Sequence, residues 1–310
     1  MLKKALTVFL VMAFVAALLA LPERFAAAVS EGVNLCLSAV VPSLFLFLCA
    51  AELIRRLRLF DGLSRRGGAL LRYLHLPPSV MPCLLLGLVC GFPVGAREIC
   101  AARRERRLSV KQAAYALPLC AGASPAFLGA LIGQRLFGKA SLGLVLWGLS
   151  LLCSLLVNAL LCRRALAGEP TQRYTPVGDE LPPLFPTLLT AVGQAARTLF
   201  SVCALIVFFS SVSSVLAGLL PPLPEALTAL VLGLIEMTSG VTQLSMPSAV
   251  AAALCAGLTA FGGISVTAQT MLFAKAAAVP IRPYLWGRLL AAGLSAALSF
   301  FVFFLLSGTY

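Results

Sequence analysis

Nine apolar segments, separated by short polar connectors, run along almost the whole chain. They cover residues 6–21, 33–54, 79–96, 112–133, 140–162, 198–220, 227–244, 248–274 and 284–306. A helix that crosses a bilayer needs about 20 predominantly apolar residues, and most of these segments approach or exceed that length. Only 11% of the residues are charged, whereas a soluble domain carries about 25%. The sequence therefore predicts an all-α polytopic membrane protein whose main partner is the lipid bilayer.

Composition and motifs argue against several other classes of protein. The net charge of +13 resides in the connectors, which is typical of contact with anionic lipid, so no nucleic acid partner is expected. The ten cysteines form no Cys-x-x-Cys pair, and His75 is the only histidine. We therefore expect no metal site, no cofactor and no catalytic residues. The hydrolase motif Gly-x-Ser-x-Gly and the phosphate-binding motif Gly-x-x-x-x-Gly-Lys-[Ser/Thr] are missing, so the protein is not predicted to be an enzyme.

The first apolar segment has two interpretations. Lys3 and Lys4 precede it and three alanines at 26–28 follow it, a pattern shared by secretory signals with a small-residue cleavage site. The later segments make the chain polytopic in either case. We favour an uncleaved first helix, and the alternative of a cleaved signal stays open.

Basic residues predict how the chain is oriented. Twenty of the 24 lysines and arginines fall in five clusters, at residues 3–4, 55–72, 97–111, 163–173 and 275–288. Basic connectors stay on the cytoplasmic side of a membrane. If residues 79–96 crossed the bilayer, the cluster at 97–111 would be external. A re-entrant hairpin that enters and leaves from the cytoplasm removes this conflict, and residues 227–244 then form a second hairpin that enters from outside.

The predicted architecture is an inverted-topology repeat with about seven spanning helices and two re-entrant hairpins. Each half reads helix, hairpin, helix, helix. We divide the chain into a first helix or signal anchor at 1–32, a first repeat at 33–165, a cytoplasmic linker with an interfacial helix at 166–197, and a second repeat at 198–310. The interfacial helix is predicted from the amphipathic stretch that precedes Thr198.

Both predicted hairpins contain an interruption that indicates a binding site. Glu236 interrupts an apolar run in the second hairpin, and a carboxylate at bilayer depth is usually kept for binding, ion coupling or proton movement. The first hairpin is interrupted by Gly91-Phe-Pro-Val-Gly95. Broken helices free backbone amides and carbonyls for ligands. The predicted substrate- or ion-binding residues are Gly91, Pro93, Gly95, Gly122, Ser124, Glu236, Thr238, Ser239, Gly240, Gly262, Gly263, Ser265, Thr267 and Gln269.

Structural roles compete with these functional ones. Small residues such as Gly122 also serve close helix packing. Glu236 would bind a cation, a proton or a hydroxyl-rich ligand, or else pair structurally with Arg197. Arg97 and Glu98 lie at a predicted membrane edge, where they form either a plain surface ion pair or part of a gate.

Four motifs surround the predicted interruptions: Gly91-Phe-Pro-Val-Gly-Ala-Arg97, Leu117-Pro-Leu-Cys-Ala-Gly-Ala-Ser-Pro125, Gly233-Leu-Ile-Glu-Met-Thr-Ser-Gly240 and Phe261-Gly-Gly-Ile-Ser-Val-Thr-Ala-Gln269. Together they resemble the YlbJ-type sporulation integral membrane proteins. That family is grouped with the nucleoside-recognition or Gate domains, and the resemblance implies broken helices in inverted repeats. The chain departs from the family at Cys120-Ala-Gly-Ala-Ser124, where Asn is common, and at Thr267, where His is common.

The leading prediction is a transporter or channel-like protein for a small polar solute, coupled to H⁺ or Na⁺ through Glu236. The resemblance adds three expectations, namely a nucleoside-like ligand, a role in sporulation, and a multi-pass location in the cell membrane of a spore-forming bacterium. The alternative is a non-transporting scaffold that recruits spore-envelope proteins through the basic stretches 55–72 and 97–111. The sequence leaves open whether the protein is a homo-oligomer.

Overall fold

The computed structural model describes residues 2–57, 59, 68–169 and 182–307, and every regular element in these ranges is helical. Five helices are long and apolar enough to cross a bilayer. They are Val110–Phe137, Ala140–Ala165, Leu184–Ala217, Ala249–Ala276 and Arg282–Leu306. The prediction of an all-α multi-pass membrane protein is confirmed at this level.

The chain begins with a sharp turn between two helices. Helix α1 (Leu2–Ala20) meets α2 (Pro22–Leu35) at 98°, and Pro22 starts α2 because proline fits the first turn of a helix. A π-helical stretch, Cys36–Val40, then joins α2 to α3 (Val41–Arg56) without a break. The domain boundary predicted between residues 32 and 33 falls inside α2.

A helical hairpin follows the short helix α4 (Gly68–Tyr73). We call α5 (Val80–Cys90) and α6 (Phe92–Arg104) the first hairpin. Gly91 joins them with a φ of 87°, a left-handed conformation that glycine adopts without a steric penalty. Ser79 Oγ donates a hydrogen bond of 3.2 Å to the carbonyl of Arg107, so the chain leaves the hairpin beside the point where it entered.

Two long helical segments complete this half of the chain. The first consists of α7 (Val110–Cys120), α8 (Pro125–Phe127), a π-helical stretch (Leu128–Gln134) and α9 (Arg135–Phe137). It starts at a capping box between Ser109 and Gln112 and is interrupted at residues 121–124. The second is α10 (Ala140–Ala165), which is uninterrupted.

Helix α11 (Leu184–Ala217) is a single helix of 34 residues. The residues before Thr198, where an interfacial helix was predicted, form the start of this helix. Helix α11 packs against both α2 and α3. Residues 170–181 of the predicted linker lie outside the described residues.

A second hairpin consists of α12 (Glu225–Ile235) and α13 (Met237–Val241). The carboxylate of Glu225 accepts hydrogen bonds from Ser245 N at 2.7 Å and Ser245 Oγ at 2.6 Å, so this hairpin also returns to its starting point. The chain continues through α14 (Ala249–Phe261) and α15 (Gly263–Ala276), which are separated at Gly262, and ends with α16 (Arg282–Ser307).

Large apolar side chains cover the outside of this assembly. Phe9 on α1, Phe200 on α11 and Trp286 on α16 are all more than half exposed. Bands of exposed aromatic and aliphatic side chains on several helices suit contact with lipid rather than water. The structure therefore agrees with the composition in placing the protein in a membrane.

Candidate functional site

Each hairpin closes on a pair of glycines. A Cβ on Gly95 would lie 2.9 Å from Gly87 Cα and 1.9 Å from the carbonyl oxygen of Cys120. In the second hairpin, a Cβ on Gly240 would lie 2.3 Å from Gly233 Cα. Real Cβ atoms do not approach backbone this closely, so both hairpins require glycine at these contacts.

The helix breaks in the four sequence motifs lie next to one another. These breaks are the hairpin turns at Gly91 and Glu236 and the interruptions at residues 121–124 and at Gly262. Gly91 packs against Ser124, and Gly263 packs against the carbonyl oxygens of residues 233–235 at the end of α12. Three buried apolar side chains, Phe92, Met237 and Val266, form a cluster at this meeting point. We call them the central cluster. The interruptions therefore lie close together, and apolar side chains fill the space between them.

Glu236 lies at the interruption of the second hairpin and caps α13. Its Oε2 accepts hydrogen bonds from Ser239 N at 2.7 Å and Ser239 Oγ at 3.0 Å. A carboxylate at the start of a helix also interacts favourably with the helix dipole. The side chain is buried, and among the described residues it forms no ion pair with Arg197 or any other cation. The structural alternative for Glu236 is thus a cap rather than a salt bridge.

A polar pocket of about 390 Å³ lies beside this cap, between α2, α11 and the second hairpin. Its volume is in the range of small-molecule binding sites. We call it the serine pocket. Its polar lining residues are Glu31, Ser210, Ser213, Ser214, Ser239, Thr242 and Gln243.

Two side chains of the serine pocket have no hydrogen-bond or ion-pair partner among the described residues. Ser213 is fully buried, and its Oγ makes no hydrogen bond within the described part of the chain. Glu31 lies in the middle of α2 and forms no ion pair with any described residue. A buried hydroxyl without a partner is costly, and a bound hydroxyl-bearing solute would satisfy it. Glu31 was not predicted as a site residue, because residues 22–32 lie between two predicted apolar segments. The apolar periodicity of Phe25, Ala28 and Gly32 could have indicated a helix there.

The other predicted polar residues do not line this pocket. Ser124 Oγ accepts from Phe127 N and caps α8, whereas Thr267 Oγ1 donates to the carbonyl of Gly263 in its own helix. Ser265 and Gln269 are buried together, with Gln269 Nε2 3.5 Å from Ser265 Oγ. The predicted residues therefore share the meeting point of the interruptions without forming one polar cavity.

The remaining predicted residues lie in or between the helices that surround the meeting point of the interruptions. They are Pro93, Gly122, Thr238 and Gly262. Pro93 is in the first turn of α6, and Gly262 has a φ of 88° where α14 ends. Thr238 is half-buried in α13, and its carbonyl accepts a hydrogen bond from Thr242 N. Gly122 borders a small cavity that shares no lining residue with the serine pocket. These positions shape the site through helix geometry.

A buried network of charges holds the start of α6. Arg97 pairs with Glu52, which also pairs with Arg55 at 2.5 Å and with Arg56 at 2.6 Å. Glu98 lies 3.4 Å from Arg97 and 3.6 Å from Arg55. We call these five residues the Glu52 network. Arg97, Glu98 and Glu52 are buried, so of the two predicted alternatives the plain surface pair does not hold. Glu52 was not among the predicted residues.

The described residues hold no group of three or more His, Cys, Asp and Glu side chains arranged to bind a metal ion. All ten cysteines are free thiols, and eight of them are buried. Buried cysteines in apolar surroundings behave as small hydrophobic side chains. The chemistry available at the site is accordingly hydrogen bonding and charge pairing.

Comparison of the chain with models of known protein families, with curated proteins and with solved structures gives no match. The composition and fold define the protein as an all-helical multi-pass membrane protein.

Proposed function

We propose that the two halves of the chain form an inverted repeat in the membrane. Each half has a long helix, a hairpin, an interrupted helix and a continuous helix in the same order. Helices α2–α3 correspond to α11, α5–α6 to α12–α13, α7–α9 to α14–α15, and α10 to α16. Six spans belong to the repeats, and α1 is an additional seventh.

The dimensions of the hairpins support re-entrant insertion. Helices α5 and α12 contain 11 residues each, which at 1.5 Å per residue reach about halfway through a hydrocarbon core of about 30 Å. Both hairpins return to their own entry points through the contacts of Ser79 and Glu225 described above. With the basic cluster 97–111 placed in the cytoplasm, the second hairpin enters from the outside.

Within this topology we infer that the protein is a transporter for a small polar solute. One observation carries the inference: a polar pocket of about 390 Å³ adjoins the interruption of the second hairpin. Transporters built from inverted repeats bind substrates where discontinuous helices meet. The serine hydroxyls would bind the hydroxyl groups of the solute, and Glu31 would supply a charge for a cation, a proton or a hydrogen-bond donor.

Glu236 connects the pocket to the hairpin. Ser239 lines the pocket and donates two hydrogen bonds to Glu236, so a solute that competes for Ser239 loosens the cap of α13. Loosening this cap would let the second hairpin shift relative to the central cluster. In this proposal the central cluster closes the path between the two sides of the membrane. Binding and opening are thereby coupled by differential contacts in two states.

The cellular role and the solute rest on the resemblance to YlbJ-type proteins. On that ground we propose a sporulation-associated protein in the cell membrane of a spore-forming bacterium, with a nucleoside-like ligand. The pocket volume is compatible with a nucleoside, whose ribose hydroxyls match a lining of serine and threonine.

The test is uptake of radiolabelled ribonucleosides into proteoliposomes that contain the purified protein. We expect at least one ribonucleoside to enter faster than into empty liposomes, and Glu31→Gln and Glu236→Gln to slow this entry by about tenfold or more, as loss of a hydrogen bond to a charged group implies. Glu23→Gln is the matched control, because Glu23 is an exposed acid on the same helix as Glu31 but does not line the pocket.

Thermal unfolding of the same preparations shows that each variant is folded. Entry at the rate of empty liposomes for all four ribonucleosides would rule out the nucleoside, and full activity of Glu31→Gln would remove the serine pocket from the mechanism. Full activity of Glu236→Gln would show that its carboxylate has no part in coupling.

The competing proposal is a scaffold that recruits spore-envelope proteins through the basic stretches. Arg55 and Arg97 in those stretches are already engaged by carboxylates of the Glu52 network. The exposed Arg104 is the better probe. If Arg104→Gln abolished partner recruitment while Glu236→Gln had no effect in cells, the scaffold would replace the transporter.

A further inference from the structure

Arg288 is a buried cation in the core of the protein. It lies in the second turn of α16 and is 2% exposed. Its Nη2 donates a hydrogen bond of 3.2 Å to the carbonyl of Thr259, and its Nε has no hydrogen-bond partner among the described residues. The guanidinium carbon lies 5.4 Å from the ring centroid of Phe92. Arg288 was predicted to belong to a basic cytoplasmic cluster, whereas its side chain is inside the helical assembly.

No carboxylate of the described residues lies within 4.0 Å of the Arg288 guanidinium. Its neutral contacts, an aromatic face and one carbonyl, offset only part of the penalty for burying a charge. The local electrostatics therefore favour a bound negative charge.

A cavity of about 30 Å³ adjoins Arg288 and is bordered by Gly122, Ala123, Trp147, Ser150 and Ser154. Ser150 Oγ is buried and has no hydrogen-bond partner. Ser154 Oγ accepts a hydrogen bond from Asn158 Nδ2 at 3.3 Å, which leaves its own hydroxyl hydrogen available. A space of this size holds one or two atoms of water size. It therefore suits a single halide-sized ion and is too small for a phosphate or a carboxylate-bearing metabolite.

We propose that this cavity is a binding site for a small monovalent inorganic anion such as chloride. Arg288 Nε and the hydroxyls of Ser150 and Ser154 donate to the anion, which neutralises the guanidinium. The ion would also stabilise residues 121–124, because Trp147 Nε1 donates to the carbonyl of Ala123 at 3.1 Å on the wall of the same cavity. This inference does not depend on transport, since none of its residues lines the serine pocket.

Trp147 provides a direct readout. The chain has two tryptophans, and Trp286 is 63% exposed. Trp286→Phe leaves Trp147 as the single tryptophan without changing the cavity. In this background, bromide is titrated against gluconate at constant ionic strength while fluorescence and thermal unfolding are followed. We expect a saturable loss of Trp147 fluorescence with bromide and a rise in Tm that follows the same curve, because a ligand of the folded state stabilises it by mass action.

Variants assign the effect to the cavity. Arg288→Gln should abolish the saturable component, and Ser150→Ala should weaken bromide binding by about tenfold, as expected for loss of one hydrogen bond to an ion. Ser150→Ala keeps the test decisive if Arg288→Gln does not fold. Ser141→Ala, an exposed serine on the same helix, should leave the affinity unchanged.

A strictly linear bromide response, or identical unfolding in bromide and gluconate, would overturn the proposal. A saturable response that persists in folded Arg288→Gln, or an unchanged bromide affinity in Ser150→Ala, would also overturn it. Competition by inorganic phosphate would contradict the assigned size of the ion.

Discussion

The two hairpins share a backbone device and differ in what surrounds it. Gly87 and Gly95 close the first hairpin, and Gly233 and Gly240 close the second in the same way. Around the first hairpin the polar contacts are buried ion pairs of the Glu52 network. Around the second hairpin, the carboxylate of Glu236 caps α13, and a pocket lined by hydroxyls lies beside this cap. At the start of this hairpin, the exposed carboxylate of Glu225 accepts hydrogen bonds from Ser245, a contact that we call the tie.

This difference indicates which hairpin moves. Separating a buried ion pair leaves an uncompensated charge in a low-dielectric interior and costs about 3–5 kcal/mol. Among the described residues, the second hairpin has no buried ion pair, and releasing one hydrogen bond to a carboxylate there costs about 1.5–3 kcal/mol. We therefore propose that the first hairpin is the fixed element and that the proposed solute displaces the second. In the proposed inverted repeat, equivalent backbones would thus have unequal roles.

The largest expected effect tests what the hairpins have in common. Gly95→Ala and Gly240→Ala should each destabilise the protein by about 3 kcal/mol or more, because the added methyl group would meet backbone atoms that cannot shift independently. Thermal unfolding in detergent measures both. Gly148→Ala is the control, since a Cβ there meets nothing within 4 Å. A variant at Gly95 or Gly240 as stable as the control would show that the two hairpins do not close in the same way.

The next largest effect tests whether the first hairpin, unlike the second, is held by buried ion pairs. Arg97→Ala should destabilise the protein by about 3–5 kcal/mol, because it leaves Glu52 buried without its buried partner. The exposed pair of Lys111 with Glu169 offers the matched comparison, and Lys111→Ala should cost at most about 1 kcal/mol. The double variant Glu52→Gln with Arg97→Ala should recover part of the loss. Equally small losses of stability for Arg97→Ala and Lys111→Ala would show that the Glu52 network is exposed to water.

The smallest effect concerns the tie at the entry of the second hairpin. Hydrogen bonds from Ser245 lower the pKa of Glu225 below its usual value. A lowered pKa in the folded state means that the tie stabilises the protein above the usual pKa of Glu and is lost as the pH falls through the lowered value. Ser245→Ala should remove this acid dependence, which hydrogen exchange of the amides in α12 and α13 can follow.

Little change in stability at neutral pH is expected from Ser245→Ala, because the tie is exposed. The matched variant Ser248→Ala removes the cap of α14 nearby and should leave the acid dependence in place. Identical acid profiles for wild type and Ser245→Ala would show that the tie does not hold the hairpin.

Several features of the site were predictable from local sequence. Glycine at 91 and at 262 predicted the interruptions because few other residues tolerate a positive φ. Glu236 stood out because acids are rare in apolar runs. The positions that were missed, Glu31, Glu52 and Arg288, carry ordinary charges near predicted connectors. Whether these side chains are buried or line a pocket depends on the helices that pack against them. Hydropathy alone did not predict where α2 and α16 begin and end.

Apolar composition and the placement of glycine, proline and a lone acid determined that this chain is a helical membrane protein with broken segments. These are local properties, because lipid requires each segment to satisfy its own backbone hydrogen bonds. Tertiary structure decided that apolar side chains fill the meeting point, that a hydroxyl-lined pocket lies beside Glu236, and that Arg288 is buried without a carboxylate. Such contacts join residues far apart in the chain, and their energies depend on the burial and charge of neighbours that only packing brings together.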